Sequence, residues 1–406
     1  MQEKNNIDMK KYIKIFLIPI FYILRLFIQK ENIILFSSSD TNRYSGNTKY
    51  LFEYFNAHCK DRCYWITESE DVKKYLQSQG YKFISNNNLL CKLYIILKSK
   101  VIFSSGTSFY DPFNIISLDK KIIKICTMHG TGPKLTIERS EILKKTLKLI
   151  SDINSYDYVS FSTEYACKII GVNQLVLPIS KTKTLGTPKQ DILHNKKYIE
   201  ENYNRKKIVK GLFGSSYDNQ KIIYYAPTFR SYQSELPMKK INQFDEDDFN
   251  SFLEKNNLFL LYSYHSMSNF KNGFKKTNNI KFIDITSNHL FDNIQLMTEI
   301  DLLIGDYSTL STDFTLLKRP QIFVMPDYDK VSKSKGFAEE LRHILPGEEV
   351  TNYNNLCKSI LASINNPKFY LTKFDDNISK LSEKYIEDTC MSSCQKYLEF
   401  YEKINN

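Results

Sequence analysis

Short apolar runs alternate with amphipathic stretches along most of this chain. Runs at 32–36, 64–67, 81–84, 101–104, 121–127 and 158–161 read as buried strands. Between them, 47–56, 72–79 (closed by Gly80) and 89–98 read as helices. Strands that alternate with helices predict a parallel sheet covered on both faces, with right-handed crossovers. A polar, basic stretch at 195–210 precedes a second series, with strands at 221–225, 259–263, 280–283, 301–304 and 321–325 and a helix at 308–318. The expected fold class is therefore α/β, with two Rossmann-like doubly wound domains in series. The carboxyl ends of the strands in both sheets should face one cleft. The expected divisions are 1–30, 31–200, 201–376 and 377–406, the last being helices that pack across the two domains.

The first division needs its own reading. Residues 12–28 are mostly apolar but contain Lys14, Pro19 and Arg25, with Lys10, Lys11 and Lys30 around them. A full membrane span needs about 20 apolar residues, and no small-residue cleavage site follows, so a secretory signal is not expected. The pattern predicts an amphipathic helix lying on a membrane, its basic residues against anionic headgroups. The alternative is a helix packed on the first domain.

Composition narrows the chemistry. With 406 residues, 42% of them hydrophobic, the chain suits two or three domains. A net charge of +11 favours polyanionic partners: nucleic acid, anionic lipid or phosphate-rich substrates. The abundance of Lys, Asn and Ile reduces the weight of that charge. Eight cysteines include no Cys-x-x-Cys pair; Cys59 and Cys63, and Cys390 and Cys394, are spaced by four, as on one helix face. Reduced thiols are expected rather than a zinc site. No Gly-x-Gly-x-x-Gly follows a strand and no P-loop is present, which argues against a dinucleotide redox enzyme and a P-loop ATPase. Asp245-Glu246-Asp247 reads as a solvated helix start, and no metal or cofactor is expected.

Two turns carry the main signal. In Cys126-Thr127-Met128-His129-Gly130-Thr131-Gly132-Pro133-Lys134, an imidazole lands where a buried strand ends, beside small residues with free backbone N–H groups. That suits a base working next to a phosphate. Far downstream, Gly305-Asp306-Tyr307-Ser308-Thr309 leaves another strand and enters a helix, where a phosphate would meet N–H groups and hydroxyls. Tyr225-Ala226-Pro227-Thr228-Phe229-Arg230 places Thr228 and Arg230 at a third strand end, where Arg230 could grip phosphate with two donors. His265 follows a fourth strand, and Gly186-Thr187-Pro188-Lys189-Gln190-Asp191 brings Lys189 toward the same cleft. Together these residues suit a diphosphate substrate and a transfer reaction.

In this order, the segments resemble the CDP-glycerol glycerophosphotransferase family, which builds teichoic acids and related phosphopolyol polymers. That family carries His-Gly-Thr-Pro-Leu-Lys, Gly-x-Pro-Arg-Asn-Asp, Tyr-Ala-Pro-Thr-Trp-Arg, a histidine after a later strand, and Asp-Tyr-Ser-Ser followed by Asp-Phe or Asp-Tyr. Here the matching segments are 129–134, 186–191, 225–230, His265 and 306–314, and 318–320, 336–337 and 345–347 add later similarity. Gly132-Pro133 stands in place of Pro-Leu, and Lys189 in place of an arginine.

The resemblance implies a GT-B type architecture, a base and acceptor domain at 31–200 and a CDP-donor domain at 201–376. It implies transfer of glycerol phosphate from CDP-glycerol to a teichoic-acid-like or capsular polymer or its lipid-linked primer, with CMP released. His129 would be the base, and Gly130, Thr131 and Gly132 would lie near the glycerol phosphate. Lys189 and Thr228 would line the diphosphate path. His265, Ser308 and Thr309 would hold phosphate oxygens, and Asp313 a polyol or ribose hydroxyl. The expected place is the cytoplasmic face of the cell membrane, with no nucleic-acid partner. CDP-ribitol stays open as the donor, and so does an inactive phosphopolymer-binding protein, although a mere binder has no need of the imidazole.

Overall fold

The computed structural model describes Pro19 and residues 23–85, 89–109, 115–135, 137, 143–228, 230, 233–264, 270, 273–285, 287–334, 336–386 and 391–405. Its strands form two wholly parallel sheets. The first contains β1 (Ile33–Ser37), β2 (Arg62–Ile66), β3 (Phe83–Ile84), β4 (Val101–Ser104), β5 (Ile123–Cys126), β6 (Tyr158–Phe161) and β7 (Thr182–Thr184), in the order β3-β2-β1-β4-β5-β6-β7. The second contains β8 (Lys221–Tyr225), β9 (Leu258–Tyr262), β10 (Ile280–Phe282), β11 (Leu302–Gly305), β12 (Gln321–Phe323) and β13 (Glu348–Glu349), in the order β10-β9-β8-β11-β12-β13. The α/β class and the pair of doubly wound sheets follow the expectation. In each sheet the order reverses at one place, between β1 and β4 and between β8 and β11. Loops leaving the carboxyl ends of strands there diverge and open a crevice.

The sheets are buried on both faces, so their central strands are apolar throughout rather than alternating. β1 is buried over its whole length, and Phe36 stacks on Phe103 at 5.2 Å between ring centres. The helix Asn47–His58 covers that face with Phe52 and Phe55, which meet Phe36 edge-on at 5.4 and 5.6 Å. The last helix, Ser393–Asn405, returns to the same sheet and sets Tyr397 against Phe103 and Tyr401 against Phe55. The helix Asp375–Tyr385 joins the halves: Leu381 and Tyr385 share one apolar cluster with Phe161 of the first sheet and Phe323 of the second.

Several elements depart from the sequence reading. The stretch at 195–210 is not a plain linker but holds two helices, Lys196–Arg205 and Lys207–Phe213, broken at Lys206 with a left-handed φ of 43°. The first of them buries no residue fully; Tyr198, Ile199 and Tyr203 form a half-buried stripe within an otherwise charged and polar sequence. β7 and β13 are short, polar edge strands and lack the run that marks a buried strand. Cys59 follows the end of a helix while Cys63 lies in β2, so they share no helix face, and the described cysteines are free thiols. Asp245 does start a helix, accepting the N–H groups of Asp247 and Asp248 at 2.9 Å each. Most of 1–22 lies outside the described residues. No described helix is long and apolar enough to cross a membrane.

Candidate functional site

A cavity of about 730 Å³ lies where the two switch points face each other. From the first half it takes Ser38 to Asp40, Arg43, Ser45 and Gly46 after β1, His129 and Lys134 after β5, and Lys189. From the second it takes Ala226 to Thr228 after β8, Ser263 and Tyr264 after β9, and Ser308, Thr309 and Asp313 after β11. Thus the cavity brings His129, Lys189, Thr228, Ser308, Thr309 and Asp313 to one place. A volume of this size suits a nucleotide-sized ligand. His265 and Phe229 lie outside the described residues.

The loop after β5 determines where the imidazole goes. Thr127 and Met128 are buried, and Met128 takes a left-handed φ of 50°, which turns the chain sharply out of the sheet. His129 comes next and opens on the cavity. The cleft walls crowd the ring although it still meets solvent, and Lys189 and Lys134 add positive charge; these effects lower its pKa to about 4. The imidazole is therefore neutral at pH 7, and its free lone pair can accept a proton. Thr131 is turned inward, its hydroxyl paired with that of Ser162 at 2.6 Å.

Gly130 and Gly132 lie against the other half. A Cβ on Gly130 would come 3.0 Å from Thr309 Oγ1, and one on Gly132 would come 3.1 Å from Thr309 Cγ2 and 3.2 Å from Thr312 Oγ1. A Cβ at either position would press on these side chains by a few tenths of an ångström, so glycine gives the backbone its closest approach here. The next residues bind the halves together: Ala338 donates its N–H to Pro133 O at 2.8 Å, and Leu135 to Gly336 O at 3.2 Å.

The second half presents its donors from rigid turns. Ser308 Oγ accepts the N–H of Leu310 at 3.2 Å, which leaves its O–H to donate into the cavity. Thr228 donates its N–H to both oxygens of Asp306 at 3.0 Å and its hydroxyl to Asp306 Oδ1 at 2.6 Å. Arg230 differs from the expectation. It is only 2% exposed and lies behind the cavity wall. Its Nε and Nη2 hold Asp327 at 2.7 and 3.0 Å, and its Nη1 donates to Asp306 at 2.6 Å and Thr228 O at 2.9 Å. With those donors taken, it braces the Thr228 and Asp306 turns rather than meeting a ligand. Burial alone would lower its pKa, but the two carboxylates outweigh burial and raise it.

Asp313 is occupied as well. Lys189 Nζ meets Asp313 Oδ2 at 2.5 Å, and Gln190 Nε2 donates to Asp313 Oδ1 at 2.8 Å. A second buried ion pair crosses the cleft, Lys49 with Asp292 at 3.0 Å; Tyr50 adds its hydroxyl to the same carboxylate at 2.7 Å. Burial opposes charge on Asp292, yet Lys49, Tyr50 and the N–H of Ile294 together lower its pKa. Arg43 donates to the carbonyls of Ile285 and Phe291 at 2.7 and 3.1 Å. Asp191, in the motif that carries Lys189, accepts the N–H groups of Ser393 and Cys394 at 2.8 Å each and so anchors the last helix.

The sequence reading did not single out Asn47, Lys49, Arg43 or Asp292. Their roles depend on partners distant in sequence, and no local pattern marks them. Among the described residues no group of three or more His, Cys, Asp or Glu side chains could hold a metal ion.

Comparison with known proteins fits this geometry. The teichoic acid ribitol-phosphate polymerase TarK of Staphylococcus aureus is 24% identical over 345 residues, covering 82% of this chain and 63% of that protein. This chain therefore spans less than two thirds of TarK's length. The teichoic acid glycerol-phosphate primase of Bacillus subtilis is 26% identical over 330 residues, covering 78% of this chain and 77% of the primase. A structure of the wall teichoic acid polymerase TagF superposes with a TM-score of 0.71 at 19% identity, covering 98% of this chain and 99% of that one, and so shares the fold. The family model described as CDP-glycerol:poly(glycerophosphate) glycerophosphotransferase matches residues 20–387, and the chain belongs to that family.

Proposed function

We propose that this protein transfers a polyol phosphate from a CDP-polyol to an acceptor hydroxyl and releases CMP. The donor we favour is CDP-glycerol, and the acceptor a teichoic-acid-like or capsular polymer or its lipid-linked primer. The observation that carries the reading is a neutral imidazole, His129, opening on the same cavity as the Ser308 and Thr309 hydroxyls. Family membership supports a CDP-polyol as the donor class. On this reading the first sheet and its helices form the acceptor and base domain, and the second sheet and its helices the CDP-donor domain.

The chemistry follows from the side chains. His129 takes the proton of the acceptor hydroxyl as its oxygen attacks the phosphorus that carries the glycerol. The new O–P bond forms while the bond from that phosphorus to the CMP oxygen breaks, and CMP leaves with the electron pair. Ser308 and Thr309 donate to phosphate oxygens as charge builds there. Lys189, oriented by Asp313, supplies positive charge to the diphosphate. Thr228, whose hydroxyl is committed to Asp306, shapes the path rather than gripping phosphate. Gly130, Thr131 and Gly132 keep the base close to the donor half. His265 is assigned to phosphate by the family resemblance alone. A base with a pKa near 4 would accept protons poorly, since general bases work best near the operating pH. Binding of the diphosphate brings negative charge to the imidazole and raises its pKa toward that range.

A second donor has specific support. TarK is by name a ribitol-phosphate polymerase, so CDP-ribitol is the alternative. A panel of CDP-glycerol, CDP-ribitol and nucleotide sugars, read by nucleotide release, tests the proposal. CMP release with CDP-glycerol above all others supports it, and no release from any CDP-polyol would leave the inactive-binder reading. We place the protein at the cytoplasmic face of the membrane as a peripheral protein. Ile23, Leu24, Leu26 and Phe27 support this, being 57, 41, 61 and 80% exposed. Removing residues 1–30 should free the protein from membranes without loss of turnover on a soluble acceptor. Unchanged sedimentation with membranes would contradict the placement.

A further inference from the structure

We propose that Asn47 is a positioning residue whose carboxamide holds the His129 loop against the Lys189 turn. The proposal rests on the reading of His129 as the base. Asn47 is 1% exposed and begins the helix Asn47–His58, directly after Gly46 in a left-handed turn with φ 77°. The cap position belongs to Gly46, so the Asn47 carboxamide, one residue inside the helix, is free to bond elsewhere. Its Nδ2 donates to Thr127 O at 2.9 Å and Met128 O at 2.8 Å, while its Oδ1 accepts the N–H of Lys189 at 3.2 Å. The partners leave one orientation of the amide: two carbonyls can only accept, and an N–H can only donate.

These bonds fall where the chain most needs holding. Met128 has no special tolerance for a left-handed φ, and its conformation points the following residue into the cavity. Cys126 Sγ accepts the N–H of Met128 at 3.4 Å, a weak tie from within the same loop. Thr127 donates its N–H to Ser104 O of β4 at 2.8 Å, and Asn47 adds the bonds to the Thr127 and Met128 carbonyls, while the same carboxamide fixes the backbone of Lys189. Base and cation, 60 residues apart in sequence, are thus set by one side chain. Lys49, in the same helical turn, pairs with Asp292 across the cleft, so the turn is itself fixed to the donor half.

Asn47→Asp removes the donation to the His129 loop and adds a negative charge, for which the neutral Asn47→Ser is the control. The carboxylate can still accept from Lys189 but cannot donate to the two carbonyls. In the full chain, kcat for CMP release should fall about 10²-fold while the Kd for CDP-glycerol, by calorimetry, stays within about threefold, because a displaced base costs rate and not donor binding. Asn47→Ser, which keeps a single donor, should give an intermediate kcat and serves if Asn47→Asp does not fold. An NMR signal of the His129 ring, assigned with His129→Ala, should shift in Asn47→Asp. A folded Asn47→Asp with wild-type kcat, or with donor binding lost in step with kcat and an unmoved His129 signal, would overturn the proposal. If the wild-type protein releases no CMP from any CDP-polyol, the functional reading fails on its own. The His129 signal then still decides on Asn47: a shift supports the positioning, and an unmoved ring overturns it.

Discussion

The two halves share a strand order, yet they hold their switch-point loops by different means. On the first half the loop after β5 is fixed by neutral groups: the Asn47 amide on two carbonyls and the paired hydroxyls of Thr131 and Ser162. On the second half the turns after β8 and β11 are fixed by buried charge, with Arg230 between Asp306 and Asp327 above the Tyr307 ring. Neutral anchors leave the imidazole to titrate in response to the substrate. Ionic anchors make the donor turns stiff, because a buried charge tolerates little displacement from its partner. Two cations of the first half, Lys49 and Lys189, each meet a carboxylate of the second half. These two pairs join the halves across the cleft.

The contrast can be broken most strongly at Arg230. Arg230→Ala leaves two buried carboxylates facing each other and should lower unfolding stability by about 3–5 kcal/mol, measured by urea titration. Thr131→Val on the first half removes one neutral hydrogen bond and should cost only about 1 kcal/mol. Equal losses would erase the distinction between ionic and neutral anchoring.

The pH profile sharpens it next. His129 must be neutral to act, and its pKa in the free enzyme is lowered to about 4. The acid limb of kcat/KM should therefore lie well below the ordinary histidine range, and that of kcat should lie higher, since bound diphosphate adds negative charge. Lys189→Met removes a positive neighbour and should move the kcat/KM limb upward. A limb at the usual histidine value in both enzymes would mean that the cleft does not tune the ring. The smallest effect belongs to Gly132→Ala. Its Cβ would press on the Thr309 and Thr312 side chains, which must give by a few tenths of an ångström. The account predicts a fall in kcat of about tenfold or less with an unchanged fold, checked by CMP release and circular dichroism.

Much of the frame was legible in the chain. β4, β6 and β8 begin and end where their apolar runs do, because buried parallel strands advertise themselves by composition. The two turns that meet in the cavity were legible as well, since His129 and Ser308 each follow such a run. What stayed hidden is partnership. The sequence shows Arg230 beside Thr228 and suggests a phosphate grip, but its acceptors lie 76 and 97 residues away at Asp306 and Asp327. Asp313 looks free for a hydroxyl until Lys189 and Gln190, over 120 residues upstream, are seen to occupy it. In the sequence Asn47 is simply the first residue of the helix 47–56, and only the tertiary fold brings it to Thr127 and Met128. The helix Lys196–Arg205 is hidden for another reason: its half-buried stripe of Tyr198, Ile199 and Tyr203 is short and set among charged and polar residues.

The most direct test removes the imidazole and keeps the cavity. His129→Ala should lower CMP release from CDP-glycerol by about 10²–10⁴-fold, the usual worth of a positioned general base, with donor affinity within a few fold of the wild type. Turnover at the wild-type rate in a folded His129→Ala protein would contradict the account.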